Sequence, residues 1–245
     1  MDFTYTQAPA NEPRFGLIVL QRDESLEHDL RRILPGAVNL LVSRVPSDLE
    51  VTPETLAQME HDLPRTAALL PQAEPFAVAA YGCTSGTAVI GAERIATLIR
   101  DAAPVRQVTN PLSALLAACE AMGIKRLGVL SPYVAEVSDQ LRGILGKAGV
   151  ATPVFGSFNE AREENVVRIS PGSIMTSAEA LAAQGGIDAI FMSCTNLRTL
   201  EVIAPLEAAT GLPVLSSNQV LGWHMMRLGG LTDPVAGYGR LLAEA

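Results

Sequence analysis

Two segments decide the fold of this sequence: Ala80-Tyr81-Gly82-Cys83-Thr84 and, 111 residues further on, Phe191-Met192-Ser193-Cys194-Thr195. Each is an apolar run that ends at a cysteine and a threonine. Further landmarks recur in the same order at nearly the same offset: Arg14-Phe15-Gly16-Leu17 with Arg126-Leu127-Gly128-Val129, Ala103-Pro104-Val105 with Leu212-Pro213-Val214, and Asn110 with Asn218. An internal repeat of this kind indicates two copies of one structural unit.

Short apolar runs alternate with amphipathic stretches in both halves of the chain. In the first half the runs at 15–20, 38–45, 76–81 and 104–108 are predicted strands, and a helix is predicted at about 87–99. Continuous apolar strands separated by helices are typical of parallel sheets covered on both faces. We therefore expect an α/β fold of two lobes related by a pseudo-two-fold axis, each a parallel sheet with flanking helices.

The repeat also predicts where the lobes divide. Residues 1–112 and 214–245 are assigned to the first lobe, and residues 113–213 to the second. A helix at about 219–228 is expected to cross back to the first lobe. In open α/β sheets ligands bind beyond the carboxyl ends of the strands, so we expect the active site in the cleft between the lobes.

Composition excludes several classes of function. The 245 residues are 48% hydrophobic with a mean hydropathy of +0.25, which suits a sizeable core. The net charge is −8 and no basic run is present, which argues against a nucleic-acid partner. The N-terminus, Met1-Asp2-Phe3-Thr4, lacks the basic start of a signal peptide, and no apolar run approaches the roughly 18 residues of a membrane span. We expect a cytoplasmic protein that binds no membrane.

The three cysteines carry the chemical argument. Their number and spacing suit neither a disulfide framework nor a metal site with the histidines. Cys119 lies within a predicted helix and is expected in the core. Cys83 and Cys194 each follow a strand, where a helix N-terminus is expected to favour the thiolate and lower its pKa. Buried cysteines often only fill space, but two cysteines in matching loops favour function.

Two thiols on opposite sides of a cleft suit proton removal on one face of a carbon atom and proton return on the other. Alternatively, one thiolate adds to an activated double bond while the other thiol handles the proton. Neither route needs a metal or an organic cofactor, and the sequence has no cofactor motif. Polar residues beside the cysteines are expected to hold a substrate carboxylate: Thr84, Ser85, Thr195 and Asn196.

Four motifs resemble the aspartate/glutamate racemase superfamily: residues 81–87, 193–196, 131–133 and 164–167. Within it, the chain resembles the branch that holds maleate cis-trans isomerase, arylmalonate decarboxylase and the ectoine-utilisation protein EutA, and it is most similar to EutA-like proteins. The resemblance covers about residues 14–228. It implies a homo-oligomer, a dimer or a dimer of dimers.

The resemblance also implies roles for individual residues. Cys83 is the nucleophile or first base, and Cys194 is the acid/base on the opposite face. Tyr133 and Asn165 hydrogen-bond substrate carboxylate oxygens. Arylmalonate decarboxylases keep only the second cysteine, so the presence of both argues for isomerisation or racemisation.

Asp23 departs from the resemblance. Maleate isomerases have an asparagine at this place, and it binds a substrate carboxylate. An ionised Asp23 suits an ammonium or amide N–H on the substrate, although Arg22 offsets its charge. Equally, Asp23 caps the helix that starts near Ser25. Both interpretations stay open here.

The sequence thus predicts a cofactor-independent isomerase or racemase that acts next to the carboxylate of a small substrate. Three alternatives remain open. The first is an amino-acid or hydantoin racemase of the same superfamily. The second is a non-catalytic protein that binds or senses small acids, and the third is an arylmalonate-type decarboxylase.

Overall fold

The computed structural model describes residues 1–8 and 12–245 and contains two four-stranded parallel sheets. The first has the order β2-β1-β3-β4, built from β1 (Arg14–Leu20), β2 (Asn39–Val45), β3 (Phe76–Gly82) and β4 (Val105–Thr109). The second has the order β6-β5-β7-β8, built from β5 (Arg126–Ser131), β6 (Ala151–Ser157), β7 (Ala189–Met192) and β8 (Val214–Ser216). The two sheets share one strand order, so the predicted two-lobed α/β fold is confirmed.

Helices connect the strands of each sheet. Those of the first half are α1 (Leu26–Ile33), α2 (Pro53–Ala68), α3 (Thr84–Ile90), α4 (Ala92–Ala102) and α5 (Pro111–Ala121). Those of the second half are α6 (Ala135–Lys147), α7 (Glu163–Val166), α8 (Pro171–Ala183), α9 (Ile203–Thr210), α10 (Ser217–Leu228) and α11 (Arg240–Glu244). A 3-10 turn at Leu200–Val202 precedes α9.

The central strands are buried on both faces, which explains their unbroken apolar sequence. In β1, Leu17 pairs with Val42 of β2 on one side and with Ala80 of β3 on the other. Phe15 and Leu17 are fully buried. In the second sheet Phe191 pairs with Val129 and is also fully buried. Burial of such side chains contributes roughly 1.5–3 kcal/mol each to folding.

The predicted single helix at about 87–99 is wrong, because the chain forms two helices there. Gly91 separates α3 from α4 with a φ of +95°. Residues with a side chain rarely adopt this backbone angle. The glycine therefore ends α3 and lets α4 start in a new direction.

Helix α10 joins the two lobes. It follows β8, which pairs with β7 of the second sheet, and it packs against α1, α5 and β3 of the first half. Gly222 permits the close approach to α1, because a Cβ there would lie 2.9 Å from a methyl group of Ile33. The predicted lobe boundary at residue 214 thus falls on the first residue of a strand of the second sheet. In the described part of the chain, no helix is long and apolar enough to cross a membrane.

Candidate active site

The carboxyl ends of four central strands bring the predicted site residues together. Asp23 follows β1 and Cys83 follows β3, while Tyr133 follows β5 and Cys194 follows β7. The strand order places β1 beside β3 and β5 beside β7. The connection after β1 leads to β2 on one side, whereas the connection after β3 leads to β4 on the other, and β5 and β7 differ in the same way. Such a switch point is where open α/β sheets form ligand sites. All four side chains are buried.

Cys83 is the N-cap residue of α3, and its Sγ accepts a hydrogen bond from the Gly86 N–H at 3.1 Å. Burial raises the pKa of the Cys83 thiol to about 12, against the lowering effect of the Gly86 N–H. The lowered pKa expected from the sequence is therefore wrong for this closed site, because desolvation of a thiolate outweighs one backbone donor. Glycine is favoured at position 86, since a Cβ would lie 3.0 Å from this sulfur and 2.6 Å from the Tyr81 hydroxyl.

Cys194 has a strained backbone. Its φ is +103°, a left-handed conformation that is rare for residues with a side chain. The Cys194 N–H donates to Ser217 Oγ at 3.0 Å, and Sγ accepts from the Asn196 N–H at 3.3 Å. Burial, followed by the charge of Glu163, raises the pKa of the Cys194 thiol well above its usual value. Here too the expected lowering of the pKa is wrong.

A buried hydrogen-bond network surrounds Cys194. Tyr133 Oη lies 2.9 Å from Cys194 Sγ, and the Tyr133 hydroxyl donates to Glu163 Oε1 at 2.5 Å. The Asn196 amide donates to Glu163 Oε2 at 2.7 Å and its Oδ1 accepts from the Glu24 N–H at 2.9 Å. Tyr133 and Asn196 are therefore held in place by Glu163, a residue that the sequence analysis missed.

Hydrogen bonds across the cleft connect the two cysteine loops. The Thr84 hydroxyl donates to Ser217 Oγ at 2.8 Å, and the same oxygen accepts the Cys194 N–H. The Thr195 hydroxyl donates to the Gly82 carbonyl at 3.2 Å. Asp23 and Glu163 raise the pKa of both thiols, which places the two sulfurs in one electrostatic environment.

Asp23 uses its two carboxylate oxygens differently. Oδ1 accepts the N–H groups of Ser25 and Leu26, each at 2.8 Å, so the capping interpretation is confirmed. Oδ2 is buried and has no hydrogen-bond partner among the described residues. Burial raises the pKa of Asp23 from 3.8 to about 6, partly offset by the two backbone N–H groups. The other interpretation, a contact between Asp23 Oδ2 and a substrate ammonium or amide N–H, stays a prediction.

Asn165 lies apart from the cluster. It is exposed on α7, and its amide donates to Glu160 Oε2 at 3.0 Å. Glu163, two residues earlier on the same short helix, is the side chain that reaches Tyr133 and Asn196. Ser85 is buried in the first turn of α3, and Cys119 is buried on α5 as expected.

Two residues of the site that the sequence analysis missed, Ser217 and Glu163, each have a weak signal in the sequence. Ser217 directly follows β8, whose carboxyl end lies at the same edge of the sheet as Cys194. Glu163 is an acidic residue one position before the motif at 164–167. Neither signal specifies a buried hydrogen-bonding role, because acidic residues and serines are mostly exposed.

Segment 46–51 of the first half covers the site. The Val51 N–H donates to the Ala161 carbonyl at 3.0 Å, and the Glu163 N–H donates to the Leu49 carbonyl at 3.3 Å. Next to Asp23, a cavity of about 480 Å³ is lined by Gln21, Arg22, Asp23, Glu24, Arg44, Glu164 and Arg168. Its three guanidinium groups lie among three carboxyl groups, and Arg44 is paired with Glu27 at 3.2 Å. In the described residues, no group of three His, Cys, Asp or Glu side chains is arranged to hold a metal ion.

Fold and site together define a two-lobed α/β protein with two buried thiols where the lobes meet. A family model described as arylmalonate decarboxylase (Amdase) matches residues 50–242. The chain belongs to the arylmalonate decarboxylase family. The predicted resemblance to the aspartate/glutamate racemase superfamily, in its decarboxylase and maleate isomerase branch, is thereby confirmed.

The chain is similar to maleate isomerases over most of its length and to an arylmalonate decarboxylase over about half of it. The maleate isomerase of Nocardia farcinica is 26% identical over 246 residues, which cover 94% of this chain and 96% of that protein. The arylmalonate decarboxylase of Bordetella bronchiseptica is 29% identical over 139 residues, 56% of this chain and 58% of the decarboxylase. A solved structure of a Nocardia farcinica maleate cis-trans isomerase mutant, with a covalently bound succinylcysteine intermediate, has a TM-score of 0.84 at 22% identity and covers 96% of this chain and 100% of that one.

Proposed function

We propose that this protein is a cofactor-independent isomerase that acts on a carbon next to a carboxylate, with Cys83 and Cys194 as its two reacting thiols. The observation that carries the proposal is the Thr84–Ser217–Cys194 hydrogen-bond bridge, which holds the two cysteine loops against each other. The maleate isomerase relatives and the succinylcysteine intermediate of one of them support a cis-trans isomerisation through a cysteine adduct.

In this mechanism one thiolate adds to an activated double bond and the other thiol supplies a proton to the neighbouring carbon. Rotation about the resulting single bond and loss of the same proton and thiolate give the trans product. In a racemisation, one cysteine as thiolate removes the proton from one face of the carbon, and the other as thiol returns a proton to the opposite face.

We propose that the substrate carboxylate is held near Thr84, Ser85, Thr195 and Asn196, with Tyr133 beside Cys194. The position of the first four residues directly after the two cysteines supports this placement. Asp23 is a proposed contact as well, because its Oδ2 offers an acceptor for a substrate N–H. The EutA-like assignment, with a substrate derived from an amino acid, depends on that acceptor. Asn165, the other contact that the resemblance implied, is exposed and hydrogen-bonded to Glu160, so it would have to move to reach a substrate.

A cytoplasmic location and a homo-oligomeric state are further proposals. The resemblance to the superfamily supports the oligomer, and the three free cysteines of the described chain suit a reducing compartment. Size-exclusion chromatography with light scattering tests the oligomer, and a monomer at micromolar concentration contradicts it.

Decarboxylation is the second candidate, because the family model and the Bordetella relative are both named for it. The presence of both Cys83 and Cys194 favours isomerisation. A protein that binds small acids without turnover would show saturable binding in the same assays and no product.

The test is a screen of maleate, aspartate, glutamate, hydantoins, N-acetyl-diamino acids and arylmalonates, followed by NMR in D₂O. We expect cis-trans conversion of an unsaturated acid, or deuterium at the α-carbon if the reaction is racemisation. Cys83→Ser and Cys194→Ser should each abolish turnover, whereas Cys119→Ser, the matched control, should keep it. Full activity in either of the first two variants contradicts the two-thiol mechanism.

A further inference from the structure

Glu163 is a buried carboxylate whose two oxygens are both engaged. Oε1 accepts the Tyr133 hydroxyl at 2.5 Å, and Oε2 accepts the Asn196 amide at 2.7 Å. Only 3% of Glu163 is exposed. Removing a carboxylate from water in this way costs several kcal/mol, which strong hydrogen bonds must offset. Its position next to Cys194 points to a function in proton transfer.

A count of protons fixes the direction of the hydrogen bonds. Tyr133 has one hydroxyl proton and two neighbours, Glu163 Oε1 at 2.5 Å and Cys194 Sγ at 2.9 Å. The shorter contact, to a carboxylate oxygen, is the charge-assisted one and takes that proton. Cys194 must then be the donor of the second hydrogen bond, with its S–H directed at Tyr133 Oη.

We propose that Glu163 is the internal proton acceptor for Cys194 and that it acts through Tyr133. As the Cys194 S–H bond breaks, its proton passes to Tyr133 Oη, and the former hydroxyl proton of Tyr133 passes to Glu163 Oε1. The products are a Cys194 thiolate, an unchanged tyrosine and a neutral Glu163 carboxylic acid. The reverse transfer restores the thiol. No proton enters or leaves the site, and the inference rests on the proposed use of Cys194 as a reacting thiol.

Electrostatics favour such an exchange over loss of the Cys194 proton to water. Loss to water would add a second negative charge beside Glu163, whereas the internal transfer only moves one charge between neighbours. The titratable groups that face Glu163 are Tyr133, Cys194, Cys83 and Asp23, each of which is either neutral or negatively charged. Asp48 and Glu50 of segment 46–51 line a small cavity with Glu163. The nearby Arg162 is paired with Glu164 at 2.6 Å.

The test measures the thiolate directly and needs no substrate. In the full chain with Cys83→Ser and Cys119→Ala, Cys194 is the remaining thiol, and its alkylation by iodoacetamide is followed by mass spectrometry across pH. Because only the thiolate reacts, a thiol that ionises into water reacts about tenfold faster for each pH unit. If the Cys194 proton moves to an internal acceptor instead, the fraction of thiolate does not depend on pH. The alkylation rate is then independent of pH wherever Glu163 starts as a carboxylate. We expect this plateau.

Two variants in the same background separately remove the proton acceptor, Glu163, and the hydroxyl of Tyr133 that connects it to Cys194. Glu163→Gln and Tyr133→Phe should each replace the plateau with a rate that rises about tenfold for each pH unit. Glu179→Gln, an exposed acidic residue on α8, is the control and should keep the plateau. Because the amide introduced by Glu163→Gln can turn a donor toward the Asn196 amide, circular dichroism must show native folding. Tyr133→Phe leaves Asn196 and Glu163 in contact.

A rising rate in the starting background overturns the inference. So does a plateau that persists in both variants, since access to the buried thiol would then limit the rate. The outcome is separate from that of the proposed function. A plateau without turnover of any substrate supports the proton acceptor and contradicts the isomerase, whereas turnover with no plateau does the reverse.

Discussion

The hydroxyl group of Thr84 donates a hydrogen bond to Ser217 Oγ at 2.8 Å, although 133 positions separate the two residues. Ser217 Oγ also accepts the N–H of Cys194 at 3.0 Å. One hydroxyl oxygen thus connects the residue after Cys83 to the backbone of Cys194. The relative position of the two thiols depends on this oxygen.

Ser217→Ala tests the bridge. The substitution leaves the Thr84 hydroxyl and the Cys194 N–H buried without an acceptor, and each such group costs about 1–3 kcal/mol. We expect a loss of about 2–6 kcal/mol in the free energy of unfolding in urea, together with reduced turnover. Ser173→Ala, at an exposed serine of α8, should leave turnover unchanged and alter the free energy of unfolding by no more than about 0.5 kcal/mol. Unchanged stability of Ser217→Ala would show that the bridge contributes nothing.

Asp23→Asn is expected to stabilise the protein at neutral pH. Burial raises the pKa of Asp23 from 3.8 to about 6, so the folded state prefers the neutral acid. Stability is therefore fully present below the unfolded-state pKa and is lost as the pH rises from about 4 to about 6. At 1.36 kcal/mol for each pH unit, the loss is about 3 kcal/mol. Asparagine keeps an oxygen for the N–H groups of Ser25 and Leu26 and does not ionise.

The measurement is urea unfolding of both proteins over a series of pH values. The difference in unfolding free energy between variant and wild type should grow between pH values of about 4 and 6 and stay constant above. Asp29, whose pKa burial also raises, is present in both proteins and cancels in the difference. A difference that does not vary with pH would falsify the raised pKa of Asp23.

Position 194 is expected to prefer glycine for stability and cysteine for activity. Its φ of +103° strains any residue that has a Cβ. We expect Cys194→Gly to exceed Cys194→Ala in unfolding free energy by about 1 kcal/mol, although both lose turnover. Alanine at least as stable as glycine would mean that the loop relaxes without cost.

Gly86→Ala places a methyl group 2.6 Å from the Tyr81 hydroxyl and 3.0 Å from both Cys83 Sγ and Met59 Cε. Because these atoms are buried, we expect a loss of about 1–3 kcal/mol in stability and a lower kcat from the displaced sulfur. Gly143→Ala, where nothing lies within 4 Å of the new Cβ on α6, should instead stabilise the helix by about 0.5–1 kcal/mol. Equal effects of the two substitutions would refute the packing argument.

The sequence predicted most of the architecture because its signals are local. The runs at 15–20 and 76–81 lie within β1 and β3, since strands buried on both faces must be apolar throughout. The helix predicted at 87–99 failed at Gly91, because a single glycine does not reveal whether its φ is positive. The prediction of a lowered pKa for the Cys83 thiol was wrong for another reason. Its donor, Gly86, is visible in the sequence, but the burial that outweighs it is not.

The sequence by itself determined the two repeated α/β lobes, the membership of the superfamily and the cysteines at matching strand ends. The lobes and the matching strand ends follow from periodicity and spacing along the chain, and the superfamily from a resemblance of motifs. Only the tertiary structure decided that Glu163, rather than Asn165, faces Tyr133, and that Ser217 joins Thr84 to Cys194. Hydrogen bonds between residues far apart in the chain depend on how the two sheets are placed. The burial that raises the thiol pKa values exists only after both lobes have closed around them.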